Sequence, residues 1–249
     1  MAIPFSKAIA EIKKKTKKKK ILFCLDFDGT LTPIRRNPAS VKPSLDLLRF
    51  LKKAARLPHC KIAIISGRGL KDLRKKIPVP GIILIGSHGL EWNIKPNKNL
   101  NRLRRLRKFK KKWQHALSEV RGVHFENKPF SFVLHYRRCP KLQQAQVVAF
   151  FMRQQDDLFR NKFQWTPAHR AFEVFESVRG RKEHASQELL HKLKSDRMIV
   201  AGDDATDFEM LTYGQDHGWA VTVGFSRAGI KYFAKGPGEL VSVLNKIIS

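Results

Sequence analysis

Two kinds of apolar pattern alternate along this chain. Short continuous apolar runs, at Ile21–Leu25 and at residues 61–65, 81–85, 198–201 and 219–223, read as strands buried on both faces. Between them lie helical periodicities. Ser44 is placed to cap a helix with Leu45, Leu48, Leu51 and Ala55 on one face, Leu189, Leu190 and Leu193 mark a second, and residues 237–248 close the chain with a third. Strands alternating with helices predict an α/β core around a parallel sheet.

The pattern changes between residues 93 and 176. Leu103, Leu106, Phe109, Trp113, Leu117 and Val120 recur at three- and four-residue steps, predicting an amphipathic helix over roughly 101–120. Residues 123–137 are rich in Phe, Val and Tyr. A second helix follows Pro140, with Ala145, Val148, Phe151 and Met152 apolar, and strand-like runs stand at 162–165 and 171–175. Helices beside a small antiparallel sheet predict an inserted α+β cap that leaves the core and returns to it. The expected division is a basic extension at 1–20, a core domain at 21–92 and 177–249, and a cap at 93–176.

Charge complicates this picture. The chain has 50 Lys+Arg against 21 Asp+Glu, a formal net charge of +29, which invites a nucleic-acid reading. Seven of the lysines fall between Lys13 and Lys20, expected to be a solvated, disordered or frayed block without chemistry of its own. Eight more basic residues between Arg102 and Lys112 form the solvent face of the cap helix. No zinc-finger, RNP or recognition-helix signature accompanies them, so a solvated surface that steers anionic substrates is favoured over nucleic-acid binding. No apolar run approaches the ~20 residues that span a bilayer, so no membrane partner is expected. Cys24, Cys60 and Cys139 lack metal-ligand spacing and read as reduced packing residues, from which a cytoplasmic location is expected.

Chemistry concentrates where strands end. Asp26 and Asp28 follow the first run at i and i+2, so both carboxylates can address one small site, and a Mg²⁺ ion between them would offset their repulsion. Asp26 would then be the nucleophile and Asp28 the group that protonates the leaving alkoxide and later activates water. Gly29 would let backbone N–H groups face the transferring phosphoryl oxygens. Ser66, with Arg68 beside it, ends the second strand, where a hydroxyl and free N–H groups suit either a phosphoryl group or an ordinary helix cap. His88, between Gly86 and Gly89, and Glu91, two residues beyond, follow the third strand. Asp203, Asp204 and Asp207 cluster after the fourth, a second carboxylate supply in a chain poor in acid, with Asp203 the expected metal ligand alongside Asp26 and Asp28.

Asp26-Phe27-Asp28-Gly29-Thr30-Leu31 resembles the first motif of the haloacid dehalogenase superfamily of aspartate-nucleophile phosphatases. Gly86-Ser87-His88-Gly89-Leu90-Glu91 is similar to the Gly-Asn-His-Gly-x-Glu segment of the trehalose-6-phosphate phosphatases, with Ser87 in place of Asn. Gly202-Asp203-Asp204-Ala205-Thr206-Asp207, with Glu209-Met210 in register, is similar to their Gly-Asp-Asp-x-Thr-Asp-x-x-Met motif. The resemblance implies a Rossmann-like core of the haloacid dehalogenase type, a Mg²⁺ cofactor, and trehalose-6-phosphate as substrate. A sucrose-phosphate phosphatase and a basic nucleic-acid-binding protein are the rival expectations.

It also implies roles for single residues. Ser66 would hold a phosphoryl oxygen. Lys182, in a segment where Glu183 replaces the family's glycine, would bridge the nucleophile and the phosphoryl group, with Arg179 or Arg181 as alternatives. Asp204 or Asp207 would stand behind the metal or orient Lys182. Glu126-Asn127-Lys128, Arg137 and Glu173 are similar to cap segments that contact the sugar, and Arg68, His88 and Glu91 join them as expected substrate contacts. Glu126 and Lys128 are equally an exposed pair on a sheet edge, and Phe175-Glu176 stands where the family has Arg-Pro after the cap glutamate. A monomer is expected.

Overall fold

The computed structural model describes residues 2–35, 37–94, 100–127, 131–168, 170–176 and 181–249. The chain divides into two units, residues 1–96 with 179–249, and residues 97–178.

The first unit begins with β1 (Ile3–Pro4) and α1 (Ile9–Thr16), continues through β2 (Ile21–Leu25), α2 (Leu45–Ala55), β3 (Cys60–Ile65), α3 (Leu70–Lys76), β4 (Ile83–Gly86) and β5 (Glu91–Trp92), and leaves for the second unit. That unit holds α4 (Leu100–Ala116), β6 (His124–Asn127), β7 (Ser131–His135), α5 (Lys141–Arg153), α6 (Gln155–Arg160), β8 (Phe163–Ala168) and β9 (Ala171–Glu176). The chain then returns through α7 (Arg181–Lys192), β10 (Arg197–Gly202), α8 (Phe208–Asp216), β11 (Gly218–Val223), β12 (Tyr232–Ala234) and α9 (Pro237–Ile247).

The core sheet runs β1-β12-β11-β10-β2-β3-β4-β5, parallel throughout except for β5, which pairs antiparallel with β4. Both faces are covered, which is why its strands read as unbroken apolar runs rather than alternating ones. Phe23 and Leu25 of β2 pack with residues of α1, α2, α3 and α9, while Leu22 and Cys24 face Leu189 of α7 and Met210 of α8. Strands β10, β2, β3 and β4 are adjacent, with Ala201 opposite Leu25 and Ile65 opposite Ile85. Their carboxyl ends therefore meet at one edge of the sheet, the usual place for a ligand in an open parallel sheet.

The N-terminal segment departs from expectation. Residues before Ile21 form no loose extension: Ile3 and Pro4 add a parallel edge strand opposite Tyr232 and Phe233, and Phe5, Ala8 and Ile12 are at most 1% exposed. Their spacing of three and four is a helical stripe, masked in the sequence by the lysines that follow. Only the charged half is solvated: Lys13, Lys14 and Lys15 sit in the last turn of α1, and Lys15 pairs with Glu11 at 2.8 Å.

In the second unit, β6-β7-β9-β8 form an antiparallel sheet. Its inner face packs Phe132, Leu134, Phe172 and Val174 around Trp113 of α4 and Phe151 of α5. Trp113 is fully buried and meets Phe132, Phe150 and Phe151 edge-on, with centroids 5.4 to 5.7 Å apart. All three cysteines of the chain are free and buried.

Candidate active site

Asp26 leaves the end of β2 with its N–H bonded to Ala201 O of the neighbouring strand β10, and Asp203 follows the end of that strand. The adjacency of β2 and β10 thus sets two carboxylates side by side. A third comes from Asp207, whose carboxylate turns back to accept the N–H groups of Asp203 (3.2 Å) and Asp204 (3.1 Å), closing a reciprocal cap with Asp204. Carboxylate oxygens of Asp26, Asp203 and Asp207 lie within 4.8 Å of one another. Thr30 donates to Asp203 at 2.9 Å. Gly29, at φ 83°, completes the packing, because a Cβ there would overlap the Asp203 carboxylate.

Among the described residues, one cation enters this cluster. Lys182, in the first turn of α7, donates to Asp26 at 2.8 Å and to Asp207 at 2.6 Å, with the Lys182 side chain 5% exposed and that of Asp207 fully buried. Burial pulls the Lys182 ammonium pKa down, but Asp26 and Asp207 outweigh it and hold the proton more tightly than usual. Asp26 is pushed up to about 7, by burial first, against the pull of Lys182 and with the repulsion of Asp207 behind it. Asp203 is raised as well, again chiefly by burial. Among the described residues, two buried carboxylates and a half-buried third with one ammonium are short of positive charge. An oxygen-only donor set of this kind fits a hard divalent cation.

Asp28 does not join the triad. Its carboxylate is held by Arg68, through Nε at 2.6 Å and Nη2 at 2.7 Å, so Asp207 rather than Asp28 stands with Asp26 and Asp203. The spacing of i and i+2 brings Asp26 and Asp28 to one cavity but leaves Asp28 outside the triad, since the chain turns after Phe27 and the N–H groups of Leu31 and Thr32 both donate to Phe27 O. Gly29 N–H is likewise committed, to Thr32 O at 2.7 Å, and is not the free donor expected. Arg68 also reaches Asp72 at 2.6 Å and Pro38 O at 2.8 Å, and its guanidinium lies 5.5 Å from the Phe27 ring centroid. Its side chain is thereby bound up within the protein.

Ser66 is 1% exposed and accepts the Arg68 N–H at 3.2 Å. It is not the cap of the following helix, since α3 starts at Leu70 after Gly69. Across from it, Ser87 and His88 both adopt the left-handed region, at φ 50° and 55°. The His88 ring packs against Gly67, where a Cβ would come within 2.7 Å of Nε2, and its Nδ1 is buried without a partner among the described residues. Burial, and then the Lys182 ammonium, lower the His88 pKa to about 4. Asp26, Asp28, Ser66, Arg68, His88, Lys182, Asp203, Asp204 and Asp207 all line one cavity of about 670 Å³, entirely within the first unit. Glu91 stays behind its wall, accepting from Leu70 N at 2.8 Å and Ser87 Oγ at 2.9 Å.

In the second unit, Glu126, Val133, Glu173 and Thr166 lie opposite one another across the sheet. Directly paired residues share a face, so both glutamates stand on the face away from the buried rings. Glu126 contacts His135 at 2.9 Å and Glu173 accepts from Ser131 at 2.7 Å. Arg137 is exposed beyond β7. Lys128 and Arg179 lie outside the described residues, as does the side chain of Arg181. The sequence assigned no role of their own to Thr30, Asp72 or His135. Asp72 had a signal, standing four residues after Arg68, a spacing at which helix-side partners meet.

Residues 24–231 match the family model described as trehalose-phosphatase. The chain belongs to the trehalose-phosphatase family. It is 28% identical over 261 aligned positions to a probable trehalose-phosphate phosphatase D of Arabidopsis thaliana, covering 96% of this chain and 70% of that protein. A trehalose-phosphate phosphatase of Mycobacterium leprae is 30% identical over 197 positions, covering 73% of this chain, which spans 45% of the length of that relative. A solved trehalose-6-phosphate phosphatase of Aspergillus fumigatus aligns at a TM-score of 0.73 and 23% identity, over 99% of this chain and 98% of that one, and shares its fold. Within the trehalose-phosphatase match fall the Asp26–Thr32 turn after β2, the Ser66 loop, the Ser87–Glu91 loop and the Asp203–Asp207 cluster.

Proposed function

We propose that this chain hydrolyses trehalose-6-phosphate to trehalose and phosphate, with Mg²⁺ as cofactor and Asp26 as nucleophile. The observation that carries the reading is the Lys182 ammonium, held between Asp26 and Asp207 at the mouth of a parallel sheet in a member of the trehalose-phosphatase family.

The chemistry follows from the side chains. Asp26 attacks phosphorus and displaces the sugar oxygen, giving an aspartyl phosphate. Lys182, fixed by Asp207, keeps the Asp26 carboxylate aimed and places positive charge beside the phosphoryl oxygens. Ser66 holds one of those oxygens from the far side of the cavity. Asp28 enters the cycle carrying a proton, delivers it to the departing sugar oxygen and takes one back from the water that cleaves the aspartyl phosphate, with the Arg68 fork holding the carboxylate between the two steps. Asp26, Asp203 and Asp207 have the oxygen donors to hold Mg²⁺, which when bound neutralises charge on the phosphoryl group. Sugar recognition is assigned to Glu126, Glu173, Arg137 and Lys128, whose carboxylates and cations suit sugar hydroxyls, and to His88 at the cavity wall.

The test is phosphate release with and without Mg²⁺ from trehalose-6-phosphate, sucrose-6-phosphate, glucose-6-phosphate and an aryl phosphate. Preference for trehalose-6-phosphate, lost in Asp26→Asn, is expected. Preference for another sugar phosphate would overturn the substrate, and near-native turnover by Asp26→Asn would overturn the nucleophile.

A further inference from the structure

Two loops at the sheet edge are tied together more closely than packing alone requires. One runs from Ser66 to Leu70 after β3, and the other from Ser87 to Glu91 after β4. Ser66 N–H donates to Ile85 O at 2.9 Å, Ser87 N–H to Arg68 O at 2.7 Å, and His88 N–H to Ser66 O at 2.9 Å. The backbones touch at Gly86, where a Cβ would stand 2.5 Å from Leu70 N and 2.7 Å from Arg68 O. Glu91 completes the tie with one oxygen. Its Oε2 accepts both from Leu70 N–H at 2.8 Å, on the first loop, and from Ser87 Oγ at 2.9 Å, on its own.

The geometry of the second loop makes this tie necessary. Ser87 and His88 are consecutive non-glycine residues in the left-handed region, and such conformations persist only where the surroundings over-determine them. Released, the loop would relax towards ordinary backbone angles and withdraw the two N–H groups that hold Arg68 O and Ser66 O. The first loop bears the side chains that matter. Ser66 faces the cavity, and Arg68 grips Asp28 by both carboxylate oxygens.

We infer that Glu91 is a positioning residue: it clamps the Ser87–Glu91 loop to the Ser66–Leu70 loop, and through Ser66 and Arg68 it sets the phosphoryl-binding hydroxyl and the orientation of Asp28. This differs from a sugar contact in what it predicts. A sugar contact acts on one substrate, whereas a brace behind the phosphoryl site acts on every substrate alike. The inference rests on the proposed phosphatase chemistry, and its test separates the two.

Glu91→Ala, Glu91→Gln and Ser87→Ala are compared with the wild-type chain on trehalose-6-phosphate and on an aryl phosphate without a sugar. Misplacement of reacting groups by an ångström costs up to about a hundredfold. For Glu91→Ala, kcat falls by about tenfold or more on both substrates, with KM for trehalose-6-phosphate within about threefold of wild type. Glu91→Gln restores much of this, because its amide oxygen still accepts from Leu70 N–H and Ser87 Oγ. A loss confined to trehalose-6-phosphate, or no loss on either substrate, overturns the inference. Hydrogen exchange at the amides of residues 66–70 provides a readout independent of turnover. Faster exchange in Glu91→Ala but not in Glu91→Gln supports the brace even if the wild-type chain releases no phosphate, a result that would defeat only the proposed function. Unchanged protection overturns the brace. Should Glu91→Ala fail to fold, Ser87→Ala removes one of the two bonds and is read the same way.

Discussion

Arg68 holds Asp28 by both carboxylate oxygens, at 2.6 and 2.7 Å, from a position where its own side chain is only 10% exposed. The pairing is a planar fork meeting a planar carboxylate, and lysine cannot reproduce it. Arg68→Lys keeps the charge but gives up the second bond to Asp28 together with the contacts to Asp72 and Pro38 O. We expect kcat to fall by about tenfold or more, since Asp28, the proposed proton-transfer group, loses its orientation. KM should change little. Steady-state kinetics on trehalose-6-phosphate would check this, and a variant with native kcat would show that the fork does not orient Asp28.

The acidic triad makes metal binding a proton-linked event. In the metal-free protein the Asp26 carboxyl is raised to about 7 by burial and by its anionic neighbours, so below that pH it must lose a proton before it can hold a cation. Affinity for Mg²⁺ should therefore rise about tenfold per pH unit up to roughly pH 7 and level off above it. Calorimetric titration with MgCl₂ between pH 5.5 and 8.5 would show this as proton release that fades at high pH. Asp203→Asn removes a donor and should weaken binding across the whole range. Affinity that does not vary with pH would place the cation away from Asp26.

The strand ends were legible because their cause is local. A strand buried on both faces must be apolar throughout, so the point where Leu25 gives way to Asp26, or Gly202 to Asp203, is visible in the sequence. Which carboxylates converge was not visible. Asp26 and Asp203 meet because β2 and β10 are neighbours in a sheet of 8 strands, and Asp207 returns to them through bonds to two backbone N–H groups. Alternation along an extended chain put Asp28 with Asp26, but the turn at Phe27 had already ended that alternation. Glu91 illustrates a different limit. A motif shows that a carboxylate is wanted at a position, whereas the partners it accepts from depend on where a second loop runs.

The N-terminal segment was misread because charge hid its periodicity. Phe5, Ala8 and Ile12 are buried to 1% exposure or less, and Phe5 lies 6.1 Å from the Tyr232 ring. Truncating a fully buried phenylalanine costs about 3 to 5 kcal/mol, a large part of the stability of a domain. Phe5→Ala should lower the unfolding free energy read from a urea titration by that amount, whereas Lys14→Ala, on the exposed side of α1, should leave it within about 0.5 kcal/mol. Equal effects from the two would mean that the segment detaches from the core in solution.

His88 gives the folded protein a pH dependence of definite sign. Its ring is half-buried, with Nδ1 shut off from solvent and unpartnered among the described residues, and its pKa is lowered to about 4 by desolvation first and then by Lys182, against an ordinary value of 6.5. Above pH 6.5 the ring is neutral whether the chain is folded or not. Between 6.5 and 4 the unfolded chain takes up a proton that the folded one refuses, so stability is lost as the pH falls through this window. Below 4 both states are protonated and the loss stops growing. The whole contribution is at most about 3 kcal/mol. His88→Gln should remove it: its destabilisation relative to wild type, measured by urea unfolding of the metal-free protein, is largest at pH 7 and shrinks towards pH 4. A difference that stayed constant over that range would mean that the imidazole reaches solvent, and with it protons, without unfolding.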